Sequence, residues 1–335
     1  MAGAEKTVMQ GRFSSAVSAL VLLASGFGGC NGPETIQGAT SADGAPVPSN
    51  DASPSDVDAC TGVAADGARN TPCQCGGFTM PNPASAGLPN AASYADNGDG
   101  TVTDKITGLM WERLWSPSTY GQADAVKYCA SKGSGWRLPT RLELVSLVDF
   151  TVPSPGPTIN QAFSGTPGAV FWTSSPVVGN LSSEWGVFFD IGYTDADDVS
   201  DAGWVRCVSA LGAALKCYPS RYQVKTPGEV YDAATGLTWQ QDVDANSYAW
   251  SEAKAYCSGL SAGWRAPSMT ELQSIVDDTR SSPTIDPTAF PNAPGTVFWT
   301  SSPVASSIYA WGIDFSNGTT INPELPSPRR VRCVR

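Results

Sequence analysis

The stretch VFWTSSPV occupies residues 170–177 and recurs letter for letter at residues 297–304. Valine, phenylalanine and tryptophan favour β-strands and bring large apolar side chains, while the hydroxyl residues that follow are typical of a strand end. Histidine is absent from the chain and lysine from the motif, so Ser174 and Ser301 lack the base that a serine nucleophile requires. We therefore predict that the repeated stretch is a core strand.

The repeat extends well beyond these eight residues. An offset of 128 aligns residues 104–149 with residues 232–277 without a gap, and 18 of the 46 positions are identical. Further matches follow in the same order, ending with VRCV at residues 205–208 and 331–334. The pattern predicts two tandem copies of one domain, at residues 90–212 and 218–335.

Each copy has the same predicted order of elements. Two strands joined by a Thr-Gly turn come first, and then a helix, for which Thr119 and Ser247 are the predicted N-caps. Capping boxes at residues 140–143 and 268–271 open a second helix. The rest consists of short apolar runs divided by Gly, Pro, Ser and Asn. The predicted class is α+β, with two helices packed on a small antiparallel sheet with long loops in each copy.

The cysteines fit this plan. Cys129 and Cys257 end the first helices, and Cys207 and Cys333 lie in the last strands. Because these positions are equivalent in the two copies, we predict the disulfides Cys129–Cys207 and Cys257–Cys333. Four others allow three pairings, which the sequence leaves open: Cys60, Cys73, Cys75 and Cys217.

The N-terminus is typical of an export signal. A positive start, an apolar run at residues 16–24 and small residues lead to Cys30. The sequence GFGGC resembles the bacterial lipobox, which implies a signal peptide at 1–29, a lipid on Cys30 and anchoring to the bacterial envelope, at the outer membrane or cell surface. An ordinary signal peptide with an incidental cysteine is the alternative. Residues 30–58 are predicted to form a disordered tether, and 59–89 an irregular, cysteine-containing segment.

Charge and composition exclude several classes of function. The formal net charge is −11 and the pI is about 4.4, which disfavours binding to nucleic acid. The absence of histidine removes every Ser/His or Cys/His catalytic arrangement and the commonest zinc ligand. No catalytic residue and no metal ligand is therefore assigned, calcium being the one cofactor considered.

Two features are candidate binding sites. Tryptophans without a counterpart in the other copy suit exposed contact with a ligand, first Trp115 and Trp204, then Trp250, whereas matched tryptophans suit a core. A run of acidic residues offers oxygen ligands for calcium, although such runs are usually solvated. Its members are Asp195, Asp197, Asp198 and Asp201. The DNGDG motif at residues 96–100 lacks carboxylates at both ends of an EF-hand alignment, and we predict a turn there.

Arginines that recur at equivalent positions of the two copies could bind an acidic ligand or form internal ion pairs, and we favour the ion pairs. Each copy contains two of these arginines, one glutamate and one aspartate. They are Arg137, Arg206, Glu143 and Asp149 in the first copy, and Arg265, Arg332, Glu271 and Asp277 in the second.

The ordered motifs resemble the bacterial family named after the C-terminal domain of the collagen-like adhesin Lcl. They are DNGDGTVTDKITGLMW, YC on a helix, WRLPT before EL, FWTSS and a terminal VRCV. The resemblance covers both copies and implies adhesion to host glycans. The arrangement of a helix ending in Cys, a second helix and a last strand with the partner Cys is also similar to C-type-lectin-like domains. The acidic composition and the lack of a collagen-like stalk depart from that family's best-known member, so a basic glycosaminoglycan site is not implied.

Three functions remain open at this stage. We favour a non-enzymatic, lipid-anchored surface protein that binds a glycan, a matrix component or another envelope protein. WRLPT followed by Glu143 also resembles the formylglycine-generating enzymes, which implies an oxidase with reactive or copper-binding cysteines. A purely structural envelope protein is the third.

Overall fold

The computed structural model describes residues 79–210 and 220–335, together with the backbone of two short strands at 74–75 and 217–218. The predicted signal peptide at 1–29, Cys30, the tether at 30–58, Cys60 and Cys73 lie outside the described residues. In the part that is described, no helix has the length and apolar character needed to cross a bilayer.

The two copies repeat one order of elements. The first contains strands β2 (Tyr94–Asp96), β3 (Thr101–Asp104), β4 (Met110–Glu112), β5 (Trp136–Arg137), β6 (Val170–Val177), β7 (Asn180–Phe188), β8 (Tyr193–Asp198) and β9 (Val208–Ser209), with helices α1 (Gln122–Ala130) and α2 (Arg141–Val145). The second contains strands β11 (Tyr222–Thr226), β12 (Glu229–Asp232), β13 (Thr238–Gln240), β14 (Val297–Pro303), β15 (Ala310–Asp314) and β16 (Thr319–Ile321), with helices α3 (Trp250–Leu260) and α4 (Met269–Gln273). Strands β1 (Gln74–Cys75) and β10 (Cys217–Tyr218) pair with each other.

Each copy has two antiparallel sheets rather than the single small sheet predicted. The orders are β2-β3-β4-β9-β5 and β6-β7-β8 in the first copy, and β11-β12-β13 and β14-β15-β16 in the second. The second sheet forms because short connections let β6, β7 and β8 pair with one another in sequence. The α+β class is confirmed.

The helix starts were predicted with mixed success. Thr140 and Ser268 each accept a hydrogen bond from the backbone N–H of the glutamate three residues later, so both capping boxes are confirmed. The predicted caps of the first helices are wrong. Helix α1 follows Gly121 instead of Thr119, and α3 follows Ala249 instead of Ser247. In α3 the Glu252 carboxylate accepts from the Ala249 N–H, which supplies the capping bond from inside the helix.

The repeated octapeptide is a core strand in both copies. Phe171, Trp172 and Thr173 are fully buried. The Thr173 hydroxyl donates to the carbonyl of Trp185 at 2.6 Å, and the Ser175 hydroxyl accepts from the Arg141 N–H at 2.9 Å. The repeated hydroxyls therefore join β6 to its partner strand and to the start of α2, with the same bonds in the second copy.

Both predicted disulfides are present. Cys129 of α1 is bonded to Cys207, and Cys257 of α3 is bonded to Cys333. All four cysteines are fully buried. Of the matched tryptophans, all but the half-buried Trp136 are buried, as a core role requires: Trp111, Trp172, Trp185, Trp239, Trp264, Trp299 and Trp311.

The two copies pack against each other about a pseudo-two-fold axis. Strand β8 contacts its equivalent β16, and the Thr194 N–H donates at 2.8 Å to the hydroxyl of Thr320, the equivalent threonine. Contact between equivalent residues is what a two-fold interface produces. One continuous apolar core contains side chains from both copies.

The two halves of this interface differ in chemistry. In one half Arg141 is fully buried, forms an ion pair with Asp278 and lies 3.8 Å from the centroid of the Trp185 ring. The equivalent positions in the other half are Met269, Phe150 and Trp311. There the Phe150 and Trp311 rings meet edge to face at 5.3 Å. The same geometry is thus filled once by charges and once by apolar groups.

Residues 79–89, ahead of the first copy, reach across to the second copy. The buried Asn82 amide donates to Glu271 Oε1 at 3.2 Å, and its oxygen accepts from the Thr270 hydroxyl at 3.2 Å. Ser85 then meets Thr151 of the first copy at 3.1 Å. This segment spans the interface and covers one side of it.

We expect Asn82→Ala to lower the free energy of unfolding by about 2 kcal/mol, because buried polar groups of the second copy lose their partners. Urea unfolding measures the loss. Ser85→Ala is the control, since its bond is exposed, and it should change stability by less than about 0.5 kcal/mol. Equal losses for the two variants would show that the Asn82 bonds do not anchor the segment.

Candidate functional site

A concave site of about 380 Å³ lies on the first copy, and we call it the aromatic pocket. Trp115 is half-buried, Leu114 is 62% exposed, and Tyr128 projects from α1. An apolar surface with a few polar groups around it is the usual form of a small-molecule site. Its lining consists of Gly100, Glu112, Arg113, Leu114, Trp115, Tyr128 and Lys132.

A buried arginine holds the wall of the pocket in place. Arg206 is fully buried, and its guanidinium donates to the carbonyls of Glu112 and Arg113, both at 2.6 Å, and to that of Leu114 at 3.2 Å. Burial lowers the pKa of Arg206 to about 9, still above neutral pH. The charged hydrogen bonds therefore fix the backbone that leads to Trp115.

The charged groups of the pocket are paired. Glu112 Oε1 lies 2.5 Å from Lys132 Nζ, and Asp96 Oδ2 lies 3.1 Å from Arg113 Nη1. Burial disfavours the charged form of Lys132, but interactions with Glu112 and Tyr128 outweigh burial and raise the pKa of the ammonium. The ammonium also lies 4.4 Å from the centroid of the Tyr128 ring. The pocket therefore offers aromatic surface and polar groups with little net charge.

The second copy does not reproduce this lining. Of positions 112–115, 128 and 132, only Tyr128 keeps its residue type in the second copy, as Tyr256. Val243 stands where the first copy has Trp115, and Leu260 where it has Lys132. Gln240 there donates to the Tyr256 hydroxyl at 3.0 Å. The aromatic pocket is thus a property of the first copy alone within this repeat.

The other two tryptophan candidates lie elsewhere. Trp204 is half-buried, packs against the core and joins its backbone to Val170 and Trp172. Trp250 donates from its indole N–H to the Thr300 carbonyl at 2.7 Å and carries the Lys254 ammonium 3.5 Å from its ring centroid. Neither lines the aromatic pocket, so Trp115 is the candidate that the structure places at a concave site.

The acidic run does not assemble a metal site. Among the described residues, no three His, Cys, Asp or Glu side chains come close enough together to hold a metal ion. Burial and the nearby Asp195 and Asp201 raise the pKa of Asp197, whereas hydrogen bonds from Ser200 lower that of Asp198. The DNGDG motif forms the turn between β2 and β3, with the Asp99 carboxylate accepting from the Thr101 N–H at 2.9 Å.

The matched arginines separate into two kinds. Arg137 pairs with Glu143 through two hydrogen bonds, at 2.6 and 2.8 Å, and the Arg265 and Glu271 pair is equivalent, as predicted. The prediction for the other two arginines is wrong. Arg206 and Arg332 form no ion pair within the described residues and bond to backbone carbonyls instead. Glu112 and Asp242 lie near enough to act on the two guanidiniums electrostatically, but the hydrogen bonds go to the backbone carbonyls.

Several pocket residues were missed from the sequence. Tyr128 is matched in both copies and was not singled out as a ligand contact, and Arg113 and Lys132 stood out in no motif. The available signal was the clustering of unmatched residues at positions 112–115 inside an otherwise matched segment. A cluster of differences between two copies points to a site that only one of them carries.

A protein-family model matches both copies of the repeat. The model of the Lcl C-terminal domain family matches residues 100–209 and again residues 228–335, so the two matches cover both copies of the repeat. No curated protein is similar enough to the chain to be matched with it.

Proposed function

This chain belongs to the Lcl C-terminal domain family, and from that premise we propose that it is a non-enzymatic surface protein that binds an uncharged glycan through the aromatic pocket. The observation that carries the proposal is the grouping of Trp115, Tyr128 and Leu114 at the edge of a 380 Å³ cavity. A pyranose ring has an apolar C–H face that stacks on aromatic side chains, and hydroxyls that bond to charged pairs at the edge of a pocket.

The balance of charge supports a neutral ligand. Both cations that line the pocket already have a carboxylate partner, Glu112 for Lys132 and Asp96 for Arg113. The chain as a whole has a formal net charge of −11. A polyanion would lose hydration without finding free cations, so sulfated glycans are disfavoured relative to neutral ones.

The cysteine chemistry supports a binding role over an oxidase. The four matched cysteines are joined in disulfides and so do not supply the reactive or copper-binding thiols of the formylglycine-generating type. We extend the proposal to a C-type-lectin-like arrangement of each copy, and to export with a lipid on Cys30 that anchors the chain to the bacterial envelope. Metabolic labelling with a radioactive fatty acid tests the anchor: wild type should carry label, and Cys30→Ala should not.

Trp115→Val tests the binding proposal, because valine is the residue that the second copy has at this position. We expect about 30-fold weaker binding of the best neutral ligand on a glycan array, the loss of one aromatic hot spot of about 2 kcal/mol. The control Val243→Ala changes the equivalent position and should leave binding unaltered. If no neutral glycan binds the full chain, or if the Trp115 variant binds as tightly as wild type, the aromatic pocket is not the site.

A further inference from the structure

A second cavity, of about 350 Å³, lies between the two copies, and we call it the open cleft. Thr140, Leu142 and Ser175 of the first copy form one side of it. Tyr222, Asp278 and Asp286 of the second copy lie on the other side. It therefore exists because the two copies are paired, and neither copy would form it alone.

The pseudo-two-fold axis relates the open cleft to an equivalent position on the other half of the interface, which residues of the chain itself occupy. The counterparts of Thr140 and Leu142 are Ser268 and Thr270. Thr270 is bonded to Asn82 of the segment at residues 79–89, whose Ser85 reaches Thr151 on the other side. That segment lies where an occupant of the open cleft would lie on the opposite half of the interface.

Burial shows the difference between the filled and the open halves. Ser268 and Thr270 are 1% and 0% exposed beneath the segment. Their counterparts Thr140 and Leu142 are exposed and half-buried. No described segment of the chain covers the first copy's side in the same way. The interface between the copies thus has two equivalent positions for an extended segment, and the chain's own N-terminal segment occupies one of them.

The open cleft differs from the filled one in charge. Asp278 and Asp286 stand where the filled half has Phe150 and Asn160, and Arg221, which pairs with Asp232, stands where it has Ser93. Asp278 is paired with Arg141, whereas Asp286 forms no ion pair among the described residues and accepts only from the N–H groups of Thr288 and Ala289. An occupant that brings a cation to Asp286 gains an attraction that the filled half lacks.

We propose that the open cleft docks an extended, proline-flanked peptide segment of a partner protein, with one basic residue placed against Asp286. The shape follows from the segment that fills the related half, where Pro81 and Pro83 flank Asn82. Proline restricts the backbone before binding and so lowers the entropy cost of docking an extended peptide. The basic residue follows from the uncompensated carboxylate.

The probe peptide for the test is TMPNPASA, the sequence of residues 79–86, together with six versions that carry lysine at each position other than proline. Titration calorimetry on the full chain measures the affinities. We expect at least one lysine peptide to bind about tenfold more tightly than the parent, a gain of about 1.4 kcal/mol that added salt reduces.

Two variants locate that gain. Asp286→Asn removes the charge but keeps a capping group, because Asn160 caps the equivalent turn by accepting from the Ala162 N–H at 2.9 Å. It should return the best lysine peptide to the affinity of the parent. Leu142→Arg should abolish binding of the parent peptide and of the lysine peptides, because the larger side chain fills the cleft. Thermal unfolding of each variant confirms that it is folded.

Trp115→Val separates this site from the proposed glycan site, because the aromatic pocket shares no lining residue with the open cleft. Peptide affinities should be the same in that variant as in wild type. If no lysine peptide gains over the parent on the full chain, or if Asp286→Asn leaves the gain intact, the docking proposal is overturned. Either result leaves the glycan proposal to its own experiment.

Discussion

Arg141→Met is expected to destabilise the chain by about 3–5 kcal/mol, because it leaves the Asp278 carboxylate without its partner at the interface between the copies. Removing one member of a buried ion pair costs far more than removing both. The Arg141 guanidinium also donates to the Gly318 carbonyl at 2.8 Å, so the single variant breaks a further bond between the copies.

The other half of the interface shows which second substitution should compensate for the loss of Arg141. At the equivalent positions of the other half stand Met269 and Phe150, which belong to the same buried cluster as Trp311, and the Phe150 ring contacts the Trp311 ring. The double variant Arg141→Met with Asp278→Phe gives both halves this apolar solution, and it should recover most of the stability lost by the single variant.

Urea unfolding of wild type, the single variant and the double variant measures these differences, provided that the dependence on denaturant is unchanged. A double variant as unstable as the single one would mean that the two halves of the interface are not equivalent. A harmless single variant would mean that the ion pair does not join the copies.

Loss of either disulfide is expected to cost about 4 kcal/mol in the loop-entropy model. Cys129 and Cys207 are 78 residues apart, and Cys257 and Cys333 are 76 apart, so the two closed loops restrict the unfolded chain almost equally. Alanine pairs are the appropriate replacements, because all four positions are fully buried and a serine hydroxyl would lack a partner.

Equilibrium unfolding of the two alanine double variants checks this expectation. The two losses should agree to within about 1 kcal/mol, since loop length sets both. A loss below about 1 kcal/mol in either variant would contradict the entropic argument. A large loss in one variant alone would show that packing around that disulfide, and not the length of its loop, sets the stability.

Much of the fold follows from the repeat. Equivalent cysteine positions gave the right disulfides, and the capping boxes at Thr140 and Ser268 gave the starts of α2 and α4. These features were predictable because the same local chemistry occurs twice. The N-caps of the first helices were not, since the capping bond of α3 comes from Glu252 inside the helix.

The interface between the copies could not be predicted from the repeat, because its equivalent residues differ in type. Arg141 and Met269 share one structural position, as do Asp278 and Phe150, yet nothing in their chemistry matches. Sequence identity identifies residues that have the same structural role in each copy. These residues fill equivalent positions with a charged pair in one half and with apolar side chains in the other. Asn82 lies outside the repeat altogether, so its contact with Thr270 had no sequence signal.

The candidate site was predictable only in part. Trp115 stood out because its counterpart is Val243, but the sequence alone did not bring it together with Tyr128 and Lys132. The acidic run was a candidate calcium site because four carboxylates are close in sequence. In strand β8 successive side chains point to opposite faces, which separates Asp197 from Asp198.

Differential scanning calorimetry of the full chain tests most directly the claim that two copies of one domain form a single body with a shared core. We predict one transition, with a calorimetric enthalpy about equal to the van't Hoff enthalpy. Two resolved transitions, or a van't Hoff enthalpy near half the calorimetric value, would show that the copies unfold independently. That result would contradict the shared core on which the open cleft depends.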